Sequence, residues 1–240
     1  MTRGWGRGLW SVLALVGAIA GVLPVAAQDA TPTLPADGVL IVPLIRARVE
    51  QLPVAPAAAL LGRFSLAAGG EVATQTLDGP LVLFSESGSV TVQVDGPAAL
   101  SLASSIGTPA ATSPVTAGEP LTLAQGDVLT VPAGTGHALR NDGDEAASVI
   151  GVAVLPGEIR NPLLGTELTL LSAGVANGLP AGPVEVAMSR VTYGAGATRP
   201  KHGHPGPELL HVESGQLSLV VDTGKRPMDR PARVTQHLPR

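Results

Sequence analysis

His202 and His204 are separated by a single residue, and Glu208 follows four positions later, in a run that opens at Gly196 and closes at Gly215. In an extended segment side chains repeat every second residue, so the two imidazoles share one face. Pro205, Gly206 and Pro207 form a turn cluster able to reverse the chain and bring Glu208 back on a neighbouring strand. Two neutral imidazole nitrogens and a carboxylate meeting at one point hold divalent iron or a similar transition metal with coordination positions left open. Such donors suit Mn, Fe, Ni, Cu or Zn, and availability rather than affinity chooses among them. Three protein ligands leave room for water or a bidentate substrate, which permits Lewis-acid or oxygen chemistry.

Few other side chains near this run offer chemistry. Lys201 and Arg190 could orient an anionic ligand, although a lysine beside a turn is ordinarily solvated. His211 has odd parity relative to Glu208 and so is expected to face away from the site.

The elements that must carry these residues are strands. The chain has 240 residues, 45% of them hydrophobic, only 14% charged and 2% aromatic, with 30 Gly and 22 Pro. That turn-rich profile favours many short strands, and the predicted fold class is all-β. Val90, Val92 and Val94 alternate with Thr91, Gln93 and Asp95, as in a strand with one buried face. Further strand-like runs cover Val39–Ile45, Leu60–Ala67, Leu121 onwards and Ala146–Leu155, while Ala103–Pro120 reads as a long surface loop.

The ends differ from the middle. Arg3 and Arg7 precede an apolar run from Leu9 to Leu23, and Val25-Ala26-Ala27 offers small residues for cleavage, so residues 1–27 read as a secretory signal peptide, with a retained N-terminal anchor as the alternative. No membrane span remains after cleavage, and the location implied is secreted or extracytoplasmic. Cleavage removes two of 15 basic residues and none of 19 acidic ones, leaving 13 against 19 and a net charge of −6, which argues against nucleic acid as a partner. There is no cysteine, so disulfides and thiolate ligands are excluded. Residues 28–38 form a polar lead-in, and residues 225–240 form a basic stretch without strand alternation, expected to be irregular: either a tail for an anionic surface or an end foreign to the fold.

The chain also repeats itself. Placing Gly69 over Gly196 gives an offset of 127, at which Gly79, Pro80, Glu86, Ser87, Gly88 and Asp95 recur as Gly206, Pro207, Glu213, Ser214, Gly215 and Asp222, and Arg63 falls on Arg190. This predicts an internal duplication with a joint near Pro156–Pro162.

The glycine, paired histidines, glutamate and closing glycine of Gly196–Gly215 resemble the first motif of the cupin superfamily. Gly126, Pro132, Gly134, His137 and Asn141 resemble the second. The resemblance covers most of residues 40–222 and implies a jelly-roll β-barrel at 39–155 followed by a partial second barrel at 161–224. In the first copy the positions matching His202, His204 and Glu208 are Gln75, Leu77 and Leu81, so His137 stands alone and is expected to be a buried, locally hydrogen-bonded histidine. In the second copy the counterpart of His137 would fall at 264, past the sequence, so that unit is expected to lack its closing strands and to pack on the first barrel or on a second chain through its open sheet edge, as a possible homodimer.

Three functions remain open at this point. The leading one is an exported metal- and small-molecule-binding module. The alternatives are a metal-dependent enzyme (oxidase, dioxygenase, decarboxylase or isomerase) on a small polar substrate, and a structural protein with decayed sites.

Overall fold

A computed structural model describes residues 33–103, 112–158 and 167–221, and the backbone of 232–237. The predicted signal peptide at 1–27 lies outside the described residues. Among the described residues there is no α-helix, and no helix is long and apolar enough to cross a membrane.

Two sheets build the barrel. The smaller runs β3 (Glu71–Thr76), β10 (Gly136–Arg140), β5 (Val90–Val94) and β8 (Pro120–Leu123), in that spatial order. The larger runs β12 (Leu168–Ala176), β2 (Ala57–Leu66), β11 (Ala147–Pro156), β4 (Leu81–Ser87), β9 (Val128–Val131), β6 (Ala98–Ser101) and β7 (Thr112–Val115). Between them lies a core that includes Leu66, Leu83, Val90, Val92, Val94, Leu123, Leu129, Leu139 and Val149, all at 1% exposure or less. The Val90/Val92/Val94 alternation therefore does what its period dictates, with Gln93 outside. Each such valine or leucine contributes about 1.5–3 kcal/mol through burial.

A second core lies on the outer face of the larger sheet. There β1 (Val39–Val49) pairs with β13 (Val184–Tyr193), and Ile45, Ala47 and Val49 pack on Val82, Phe84, Val128 and Ile150.

The pairings of β12 and β13 follow a single rule. Val42 lies opposite Arg190 and Val49 opposite Val184; Thr169 lies opposite Arg63 and Ala176 opposite Ala57. Shifting each residue by the 127 that separates Gly69 from Gly196 converts one set of pairs into the other. The irregularities match too: the register slips at Leu44 in β1 and at Leu171 in β12. At the matched turns Gly88 and Gly215 both take positive φ, 68° and 77°, where only glycine is unstrained.

Two expectations need correction. Residues 112–115, read as loop, form β7, because their main chain pairs with β6. Residues 232–237, read as irregular tail, form β15 (Ala232–His237), whose backbone pairs with β14 (Gln216–Val221) from Gln216↔His237 to Val221↔Ala232. Backbone pairing asks for no side-chain alternation, and alternation was the signal missing from that stretch.

Candidate functional site

The loop from Gly194 to Gly215 carries no strand, so His202, His204 and Glu208 do not sit on two adjacent strands as expected. The equivalent strand in the first half, β3, is held by β10, with Gln75 opposite His137. Among the described residues no segment pairs with the corresponding loop, and an extended segment without a partner leaves its backbone to water.

The residues still gather in pairs. The rings of His202 and His204 meet edge to face with centroids 4.9 Å apart. His204 Nε2 lies 3.4 Å from Glu208 Oε2. His202 Nδ1 is 2.9 Å from the Pro200 carbonyl, which can only accept, so Nδ1 is the donor and Nε2 is the ring nitrogen left to meet a metal. The donor chemistry therefore fits a divalent transition metal. The arrangement does not yet gather the donors: among the described residues no three His, Cys, Asp or Glu side chains are grouped so as to hold an ion.

His202 and Glu208 line an open pocket of about 420 Å³ whose walls also include Arg190, Tyr193, Arg199 and His211, over a floor that includes Leu44, Leu61, Ile150 and Leu171. His211 was expected to face away. Parity arguments hold only within a regular strand, and here the imidazole turns in and donates from Nδ1 to the Leu171 carbonyl at 3.0 Å, the residue where β12 slips register. Arg190 is committed to Glu213 and Glu86 rather than waiting for an anion. Lys201 is exposed and does not line the pocket.

In the first barrel, His137 is 2% exposed, as expected. Its Nδ1 has no hydrogen-bond partner among the described residues, so the ring is satisfied locally only in part, through the Thr135 main chain. Burial pushes its pKa down, against the opposing pull of the Thr135 main chain and the Asp95 carboxylate. The neighbouring Asn141 is 1% exposed. Its Nδ2 donates to the carbonyls of Leu66, Ala67 and Glu145, tying the end of β2 to the turn between β10 and β11. Asp95 Oδ1 accepts from the Gly136 amide at 2.6 Å, and a Cβ on Gly136 would collide with that carboxylate.

Residues 114–155 match the family model described as "Cupin domain", a span that contains Gly126, Pro132, Gly134, His137 and Asn141. Over these residues the chain is similar to a cupin domain. The matched span ends before the His202–Glu208 loop. Solved structures resembling the chain include Drosophila melanogaster CENP-C bound to CAL1, at 14% identity and TM-score 0.25, covering 39% of this chain and 63% of that one, less than two thirds of its length. A cupin superfamily protein from Desulfitobacterium hafniense has 18% identity and TM-score 0.29, over 49% of this chain and 77% of that one. An RmlC-like cupin family protein with a double-stranded β-helix fold from Methanocaldococcus jannaschii has 12% identity and TM-score 0.31, over 47% and 82%. No curated protein matches the chain.

Proposed function

We propose that this cupin chain is an exported binding module of two tandem cupin units, in which the second, partial unit takes a small polar ligand and a divalent transition metal through His202, His204 and Glu208. What supports the metal assignment is the pair of contacts along the loop, 4.9 Å between the histidine rings and 3.4 Å between His204 and Glu208. What supports the tandem reading is the shared register of β1·β13 and β12·β2. Export rests on the Arg3, Arg7, Leu9–Leu23 and Val25–Ala27 pattern.

A bound metal would supply Lewis acidity. The chain's own contribution is to orient the His202 ring through the Nδ1 contact to the Pro200 carbonyl, which turns Nε2 to the outside, and to keep the Glu208 carboxylate beside His204. The binding-module reading is favoured over an enzyme because Arg190, one of the cations at the pocket, is already held by two carboxylates. The test is elemental analysis of the mature protein beside a His202→Ala/His204→Ala variant. Selective loss of one ion from the variant supports the site and names the metal; equal content in both removes it.

A further inference from the structure

Shifted by 127, four buried core residues of the first half, Leu66, Val72, Leu81 and Phe84, fall on Tyr193, Arg199, Glu208 and His211. All four residues of the second set line the open pocket of about 420 Å³. Positions that fill a core in one copy therefore carry hydrogen-bonding groups in the other, around a volume within the range of small-molecule sites. Two of the four are committed: Glu208 lies beside His204, and His211 donates to the Leu171 carbonyl. The side chains of Tyr193 and Arg199 have no hydrogen-bond or ion-pair partner among the described residues. Arg190 is matched to Glu213 and Glu86, which leaves Arg199 as the uncommitted cation of the pocket.

We propose that the small ligand of the second unit is a monocarboxylate with an aliphatic chain, its carboxylate held by Arg199 and its chain laid on Leu44, Leu61, Ile150 and Leu171. This rests on the reading of the second unit as a binding unit, and names the class of what it binds. A guanidinium offers two parallel donors to a planar carboxylate. Arg199 is exposed, so its charge stays hydrated until a ligand arrives, and the free protein bears no cost of an unpaired buried cation. One uncommitted cation matches one negative charge, and the Glu208 carboxylate on the same wall opposes a second, which disfavours a phosphate. The Tyr193 hydroxyl adds a neutral donor on that wall, while the apolar floor has no use for a ligand that is polar throughout.

The probes are straight-chain carboxylates from acetate to octanoate, the alcohols of the same lengths, and inorganic phosphate, titrated by ligand-observed NMR into the mature protein after chelator treatment. Hexanoate is expected to bind about tenfold tighter than hexanol, with affinity rising up to about fourfold for each methylene that the floor buries. Arg199→Ala should bring hexanoate to the level of hexanol, Arg199→Lys should keep part of the difference, and Arg140→Ala, on β10 of the first barrel, should change nothing. An unchanged urea midpoint, expected for an exposed side chain, shows that the loss in Arg199→Ala is not unfolding. No binding by any carboxylate, hexanol binding as tightly as hexanoate, equal hexanoate binding by Arg199→Ala, or phosphate preferred over every carboxylate would each overturn the proposal. The same titration of His202→Ala/His204→Ala separates this site from the metal. Carboxylate binding that survives there with metal content unchanged removes the metal alone, whereas selective ion loss with no carboxylate binding in the parent removes the carboxylate alone.

Discussion

Arg63 donates from Nη2 to Glu213 Oε1 at 2.8 Å, joining residues 150 positions apart, while its Nε holds Glu86 at 2.8 Å. The side chains of Arg63 and Glu86 are 26% and 15% exposed, whereas that of Arg190 is 40% exposed. Removing Arg63 leaves a mostly buried carboxylate short of donors, so Arg63→Ala is expected to cost about 1–3 kcal/mol. Arg190→Ala should cost less, because water reaches the gap. Urea midpoints at unchanged slope measure both, and equal shifts would contradict the unequal burial.

The same cluster sets an acid limit. Burial raises the Glu86 carboxyl, but bonds from Arg63, Ser148 and Arg190 outweigh it and hold the group below the usual carboxylate range; Glu213 is held low in the same way by Arg190 and Arg63. A depressed folded value means the stabilisation is complete above the unfolded value of about 4.3 and disappears as pH falls through the folded one. Stability measured between pH 6 and 3 should decline most steeply below about pH 4.3, and Glu86→Gln should flatten that decline.

His137 acts at higher pH. Burial lowers its folded value below the unfolded value of about 6.5, so between the two the unfolded chain binds a proton that the folded chain refuses. Its contribution is full above pH 6.5 and is lost as pH drops towards the folded value. Chemical unfolding at pH 7.5 and 5.5 should show a smaller pH-dependent loss for His137→Gln than for the parent. An identical loss in both would mean the ring is not kept neutral by the barrel.

Gly79 and Gly206 occupy matched positions, yet substitutions there should behave oppositely. A Cβ on Gly79 would lie 1.9 Å from the Val154 carbonyl oxygen, whereas one on Gly206 meets nothing within 4 Å. Overpacking against backbone costs about 1–3 kcal/mol or more. Thermal unfolding should show a fall of several degrees for Gly79→Ala and almost none for Gly206→Ala.

The valine alternation at 90–94, the turn glycines and the repeat at Arg63/Arg190 were legible because each depends on local period or on residue identity at a fixed offset. The partner of a strand is not written in its period: nothing in Leu168–Ala176 says that it will lie beside β2. The orientation of His211 was missed because parity presumes a continuous strand, which residues 194–215 do not form. The second-motif residues showed the opposite pattern. Their pattern pointed to a buried histidine, and His137 and Asn141 are both buried, with Asn141 binding three carbonyls.

The placement of β12 beside β2 and β13 beside β1 has a temporal consequence. A nascent chain emerges from its N-terminus, so residues 39–66 are synthesised more than a hundred residues before the segments that cover them. The border of β2 therefore stays bare until position 176 has emerged and that of β1 until position 193, and closure must wait on contacts far apart in sequence, the kind that form slowly. During biogenesis this interval is when the chain is most vulnerable to wrong pairing, and when a holding chaperone would have most to protect.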